Sequence, residues 1–407
     1  MRNTRLAFLI AALLLAGCRG NRDDGPIVVS VIGADRDVAL DDSTEVGLVR
    51  LDREGQIIPG AAARWAILDD GLDYIFRIDD GAGVSASAAA RRLREALRRH
   101  RRDPDFAALA PVESIEAVTS TVVEMRLKVP QPDLLPLLAR PEFAVRAPGP
   151  LRRDKPDHGA TPLDPRSVED VTNPVILRTE RVGRAVARFH AGEAALVLGG
   201  TFADLPVARV VEPPRKTLRF DPATGLFGFV VSNPALSTPL RTALSLAVDR
   251  DRIVAIVGAP GQVKATTIAG STIEPPLPQR RAAALALLAG QQPHIRVAMP
   301  QGPGARLLFA FVATDWGKIG ISAEMVPADA READLTLVDR VAPPATLATL
   351  ACALTSGCDP ADRLALINPP FIPLAAPVRW SLVAPHLDLF TENGLAAHPL
   401  DQLRARH

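Results

Sequence analysis

The chain has 407 residues, 47% hydrophobic and 23% charged, which is a globular composition. Its 47 basic and 46 acidic residues nearly cancel, so net charge gives no general attraction to nucleic acid or to an anionic surface. The length exceeds one ordinary core and asks for two or more lobes, and the 37 prolines are spread through the chain, which excludes a single disordered block.

The N-terminus carries Arg2 and Arg5, an apolar run from Leu6 to Leu15, and then Leu15-Ala16-Gly17-Cys18. A basic region, a short apolar run and small residues describe a secretory signal. The run is too short to span a bilayer as a helix. Leu-Ala-Gly-Cys resembles the bacterial lipobox, whose cysteine takes a diacylglyceryl group and becomes residue one. That resemblance implies a signal peptide at residues 1–17, lipid on Cys18, and a polar tether at 18–26 on the periplasmic side of an envelope membrane. Arg19 follows the cysteine in place of the aspartate that often signals inner-membrane retention, which points toward the outer membrane. Removing 1–17 takes away two arginines and leaves a formal charge of −1. Cys352 and Cys358 then form an even pair in an oxidising compartment. No other cysteine remains and the seven histidines lack ligand spacing, so a disulfide is favoured over a metal half-site or two free thiols. No metal or cofactor is expected.

Ile27 to Ile32 is a β-branched apolar run and reads as a buried strand. Trp65 to Leu68 and Tyr74 to Ile78 flank the turn signal Asp69-Asp70-Gly71, with Tyr74, Phe76 and Ile78 predicted inward. Ser85 or Ser87 can cap a helix whose apolar stripe is Ala86, Ala90, Leu93 and Leu97. The basic run from Arg98 to Arg102 reads as its solvated end. Ile115 to Val118 and Val122 to Leu127 form a second hairpin signal. Gly183 to Ala191 reads as helix, and Ala195 to Leu198 as strand. Leu226 to Val231 is a strand ending at Asn233-Pro234. Thr238 and Pro239 open a helix through Leu244 and Val248, and Asp249 caps the next. From His294 the order is strand (295–299), helix (305–318), strand (321–326), strand (334–338), with Leu308, Val312 and Trp316 on one helix face. Alternation of this kind gives an α/β chain. Ile372 to Leu374 and Val378 to Val383 close it.

Three stretches together resemble the dipeptide, oligopeptide and nickel type of solute-binding proteins for ABC importers, often called family 5. The first runs from Gly47-Leu-Val-Arg-Leu-Asp through Ile58-Pro59-Gly60, Trp65 and Asp70-Gly71-Leu72 to Phe76. The second is Gly228-Phe229 through Asn233, then Leu240-Arg-Thr-Ala-Leu-Ser-Leu-Ala-Val-Asp-Arg250. The third is Met299 to Val326, with Trp316-Gly-Lys-Ile-Gly-Ile321. Pro373-Leu374 to Val383 is similar to the family's C-terminal segment. The ordered set covers nearly the whole mature chain.

The resemblance implies an α/β two-lobed clamshell of the type II periplasmic-binding-protein kind, a monomer with its ligand in the cleft. Lobe one is expected at 27–233, completed by 373–407, and lobe two at 234–372. Hinge crossings are expected near Val231–Asn233 and Phe371–Pro373. The implied partners are an ABC transporter permease, a peptide-like small solute and, through the lipid, a membrane; nucleic acid is not among them. Glu45, Asn233, Asp339, Arg340 and Trp380 are the ligand-binding candidates. The chain also departs from the family. It is short, and Tyr74 is its only tyrosine. The aspartate that pairs with a peptide's α-ammonium in the family aligns with Pro343. A different function class therefore stands beside the receptor: a degenerate lipoprotein with a structural or interaction role and no small solute. Enzyme motifs are missing, with no Gly-x-Ser-x-Gly, His-Glu-x-x-His or Walker loop, so catalysis is not expected.

Overall fold

A computed structural model describes residues 25–33, 43–145, 147–156, 159–166, 173–268, 270–354 and 371–405. The expected signal segment, Cys18 and Cys358 lie outside the described residues. Strand β1 (Ile27–Ile32) is a β-branched run with all but one residue buried, as a strand covered on both faces requires. The chain then builds a separate layer. β2 (Ala62–Leu68) and β3 (Asp73–Ile78) form the expected hairpin, closed by a 3-10 turn at Asp69–Gly71. Tyr74, Phe76 and Ile78 point inward, in keeping with the period of two. Helix α1 (Ala86–His100) is capped by Ser85, whose hydroxyl accepts from the Ala88 N–H. Its buried face is Ala86, Ala89, Ala90, Leu93 and Ala96, and Leu97 is only half-buried, so the stripe sits slightly rotated from the expected one. β4 (Val112–Ala117) and β5 (Val122–Leu127) complete a four-stranded sheet, β2-β3-β5-β4, with α1 against it. α2 (Leu134–Leu138) buries Leu134, Leu137 and Leu138 in the same core.

The main sheet of the first lobe follows. Its elements are β6 (Leu151–Arg153), β7 (Ala160–Pro165), β8 (Val175–Glu180), α3 (Val182–His190), β9 (Leu196–Thr201), α4 (Leu205–Val210) and β10 (Leu218–Asp221). In the second lobe come β11 (Gly225–Val231), α5 (Thr238–Ala247), α6 (Arg250–Val257), α7 (Leu277–Leu288), β12 (His294–Met299), α8 (Pro303–Gly317), β13 (Ser322–Pro327), β14 (Leu335–Val341), α9 (Leu347–Ala353) and β15 (Phe371–Ala375). The chain then returns to the first lobe in β16 (Arg379–Val383). The sheet orders are β6-β7-β8-β1-β9-β16-β10 and β13-β12-β14-β11-β15. β1 is parallel to β8 and β9, and β12 is parallel to β13 and β14. Ser237, not Thr238, caps α5, because Thr238 already lies inside the helix. Asp249 caps α6 as expected.

The lobe boundaries differ from the expected ones. β11 pairs along its length with β14 and β15, so residues 225–231 belong to the second lobe's sheet. The crossings are Pro222-Ala223-Thr224 and Ala376-Pro377-Val378, between β10 and β11 and between β15 and β16. Asn233-Pro234 does end a strand, as its turn chemistry says, but the strand is already inside lobe two. Three residues between two apolar strands leave little sequence trace of a boundary.

The back of the hinge is continuous core. One buried cluster holds Val197, Phe202 and Leu205 of the first lobe together with Phe227, Phe229 and Leu374 of the second. The Phe202 and Phe227 rings lie 4.8 Å apart. Trp380 on β16 is buried in the same cluster and its indole N–H donates to Thr201 O at 2.8 Å. A Cβ at Gly200 would run into that indole, and a Cβ at Gly304 would run into Phe202 O. Glycine at both positions lets the elements approach closely. Among the described residues no helix is long and apolar enough to cross a membrane.

Candidate functional site

Parallel strands end in a crevice, and ligands of open α/β sheets bind beyond their carboxyl ends. Here Val31 of β1 and Leu198 and Gly199 of β9 form one wall of a cavity of about 420 Å³. Gly199 sits at a bulge where the pairing of β9 with β16 shifts register. Its φ is +82°, and a Cβ there would meet Ile32 O at 2.9 Å, so the turn needs glycine. The second lobe supplies Asp339 to Val341 from the end of β14, then Ala342, Pro343, Thr346 and Leu350. The four-stranded layer supplies Asp105, Pro136, Leu137, Ala139, Arg140 and Pro141. The cavity therefore lies where all three layers meet.

Its last wall is the C-terminal loop 395–399. Asn393 is buried and organises that loop. Its amide nitrogen donates to Arg53 O and Ala397 O, and its oxygen accepts from the N–H groups of Leu395 and Ala397. Asp221, the last residue before the first crossing, accepts from the Asn393 N–H and pairs with His398 Nε2 at 3.1 Å. The loop is thereby fastened to the hinge.

Charged groups meet across the cleft in a crosswise pattern. Arg379 of β16 donates to Asp339 Oδ1 at 2.8 Å and to the Asp339 carbonyl at 3.2 Å. Arg340, on the second lobe, faces Asp105 of the first at 3.7 Å. Burial pushes the Asp339 carboxyl above its usual range, and Arg379 and Arg340 partly offset this. Asp133 lies just before α2, opposite the Ala345 and Thr346 N–H groups. Burial raises its pKa, and the two backbone hydrogen bonds only reduce that rise. Arg140 reaches Glu142 at 3.0 Å and lies 4.3 Å over the Phe106 ring.

Two of the five expected ligand residues, Asp339 and Arg340, line this cavity, and Pro343 is beside them. The other three lie elsewhere. Trp380 is fully buried beneath Gly200, where its indole fills core. Asn233 is at the opposite end of β14, where its amide donates to Asp334 Oδ1 at 2.8 Å and its oxygen accepts from the Ala235 N–H. Glu45 belongs to a two-residue strand paired with Ala147–Pro148, away from the cavity. Sequence reasoning missed Arg379, Asp105, Arg140 and His398. Arg379 follows the crossing proline Pro377, a position that could have pointed to it. The other three come together only through tertiary structure. Cys352 is buried on α9 and disulfide-bonded. Among the described residues no group of three His, Cys, Asp or Glu could hold a metal ion.

No protein-family model matches the chain, and no curated protein matches it. Solved structures do. The *Haemophilus influenzae* OppA complex with the peptide RPPGFSPFR superposes with a TM-score of 0.76 at 14% identity, over 95% of this chain and 100% of that one. The *Escherichia coli* murein tripeptide binding protein MppA gives 0.73 at 16% identity, over 93% and 98%. NikA from *Brucella suis*, in complex with Fe(III)-EDTA, gives 0.71 at 16% identity, over 94% and 100%. These likenesses establish the fold: the chain is the α/β two-lobed clamshell of the periplasmic binding proteins.

Proposed function

We propose that this chain is a shortened, divergent member of the peptide- and nickel-type solute-binding proteins and serves as the lipid-anchored receptor of an ABC importer. Its solute is small and peptide-like. The observation that carries this reading is the cavity of about 420 Å³ between two lobes joined by two three-residue crossings. That size suits a small-molecule site, for which about 300–1,000 Å³ is usual. A solute held between the lobes favours the closed arrangement, and a permease that reads that arrangement distinguishes loaded from empty receptor. The three similar structures support the reading in kind, since one holds a peptide, one is a murein tripeptide binding protein and one holds a metal chelate.

In this reading Cys18 carries the lipid and residues 18–26 form the tether on the periplasmic side of the envelope. Cys352 pairs with Cys358, and the receptor works as a monomer. The competing reading is a lipoprotein that binds no solute. It is favoured by the engagement of both cavity aspartates, Asp339 by Arg379 and Asp105 by Arg340.

Mass spectrometry of protein purified from the envelope without dialysis tests the choice. A co-purifying solute of a few hundred daltons at one per chain is expected, together with loss of its uptake when the chain is deleted. Cys18→Ser is expected to release the receptor from the membrane fraction. An empty cavity and unchanged uptake of every solute tested would leave the structural reading standing.

A further inference from the structure

We infer that the hinge carries a second small-molecule site, apart from the cleft, for an uncharged and mostly apolar molecule with one hydrogen-bond donor, and that filling it shifts the angle between the lobes. The site is a cavity of about 320 Å³ that shares no lining residue with the first. Both crossings line it, Pro222-Ala223-Thr224 and Ala376-Pro377-Val378. The first lobe adds Phe220 and Asp221, and the second adds Leu347 and the segment 259–265. That segment is fastened to the second crossing. Gln262 Nε2 donates to Ala376 O at 2.9 Å, the Ala376 N–H donates to Val263 O at 2.9 Å, and the Ala265 N–H donates to Leu374 O at 3.1 Å. The walls thus belong to both lobes and to both connections between them, so the shape of the cavity depends on the hinge angle. A molecule that fits it at one angle better than at another shifts the population toward that angle.

The chemistry of the walls sets the class of molecule. They are mainly apolar, and the two charged side chains among them are each hydrogen-bonded to a partner. Asp221 accepts from the Asn393 N–H at 3.0 Å and pairs with His398 at 3.1 Å, and Lys264 Nζ lies 2.8 Å from Asp251. The Thr224 hydroxyl donates to Ala342 O at 2.9 Å. One polar side-chain atom of the wall is buried and has no partner, Gln262 Oε1. Turning the amide over does not satisfy it, because the oxygen would then face Ala376 O, itself an acceptor. A buried acceptor without a donor is costly, and a bound molecule with one N–H or O–H removes that cost. The volume is at the lower end of the usual range for small-molecule sites, about 300–1,000 Å³. It suits a molecule of one or two rings.

Indole and indene are the probes, since they match in size and shape and only indole carries a donor. In ligand-detected NMR titrations of the purified protein, indole is expected to bind about tenfold more tightly than indene, the scale of one buried hydrogen bond. Gln262→Leu is expected to bring the two affinities together by weakening indole alone. The comparison is a ratio within one variant, so a general change in folding cancels, and binding of either probe in the cleft does not depend on Gln262. Saturating indole is also expected to shift the distance between nitroxides at Arg102 and Ala345 in the parent and not in Gln262→Leu. If indole fails to bind at millimolar concentration or binds no better than indene, the inference is wrong. It is equally wrong if Gln262→Leu leaves the ratio as it was, or if the distance in the parent ignores saturating indole.

Discussion

The lobes meet twice, and the two meetings are made of different chemistry. Behind the crossings the contact is apolar and continuous: Phe202 against Phe227, Trp380 over Gly200, and Gly304 against the Phe202 backbone. In addition the Gly304 N–H donates to Ala203 O at 2.9 Å, and Arg209 donates to Val257 O and Gly258 O at the end of α6. In front, across the cleft, the contact is more polar: Arg379 meets Asp339, Arg340 meets Asp105, Asp133 accepts from the Ala345 and Thr346 N–H groups, and α9 rests on the 3-10 turn at Pro104–Leu109. Separating apolar surfaces exposes them to water at about 25 cal/mol per Å². Separating ions lets each regain hydration, so the net cost is small. The back is therefore built to stay together and the front to open. A hinge at residues 222–224 and 376–378 joins the two behaviours.

The largest effect expected is at the back. Trp380→Ala removes a fully buried indole and its hydrogen bond to Thr201, and is expected to lower unfolding stability by about 3–5 kcal/mol in denaturant titrations. A loss under 1 kcal/mol would show that the back is not core. Next is Arg379→Gln, which leaves Asp339 largely buried without its guanidinium. The expected loss is about 1–3 kcal/mol, accompanied by a more open cleft in solution scattering. An unchanged scattering profile would remove Arg379 from the closure mechanism.

Acid pH gives a smaller effect with a definite sign. Burial raises the carboxyls of Asp133 and Asp339 above the unfolded value of 3.8. The folded state thus binds more protons than the unfolded one between 3.8 and the raised values, and these two groups lower stability as pH rises through that window. Glu180 contributes with the opposite sign. Burial would raise it, but hydrogen bonds from Arg188 and Ser30 outweigh that and hold it below 4.5, so its contribution is lost as pH falls through its folded pKa. Asp133→Asn should therefore flatten the decline above 3.8 in pH-dependent melting, whereas a steeper decline would reverse the assignment. Smallest of all, Arg340→Gln is expected to change stability by about 0–1 kcal/mol, because its ion pair is solvent-exposed and long.

The same division explains what the sequence revealed. The back and the strands were legible because burial writes itself as periodicity. Tyr74, Phe76 and Ile78 alternate, and Leu308, Val312 and Trp316 recur at helical spacing; all six are buried. The motif ending in Arg250 was legible as well, and its structural use is now visible. Arg250 is buried with its pKa lowered to about 10, chiefly by burial, and donates to Pro373 O at 2.8 Å on the strand that leads into the second crossing. The cleft was half legible. Asp339 and Arg340 lie at the end of a readable strand. Their partners Arg379 and Asp105 are 40 and more than 200 residues away, and the C-terminal wall depends on Asn393, a loop residue with no periodic signal. Trp380 misled in an instructive way, since a tryptophan near a hinge suggests a ligand platform, while Gly200 beneath it marks a packed core.

The hinge itself can be measured directly. Nitroxides attached through non-cysteine chemistry at Arg102 and Ala345 report the front, and a second pair at Val210 and Leu307 reports the back. Raising ionic strength from 0.05 to about 1 M shortens the screening length from more than 10 Å to about 3 Å and weakens exposed ion pairs. The front distance is predicted to lengthen and broaden in Arg379→Gln and to respond only slightly to salt in the parent, because the Arg379–Asp339 pair is largely buried and little screened, while the back distance stays fixed in every condition. A front distance indifferent to both salt and Arg379→Gln, or a back distance that moves with it, would contradict an ionic cleft opening about an apolar hinge.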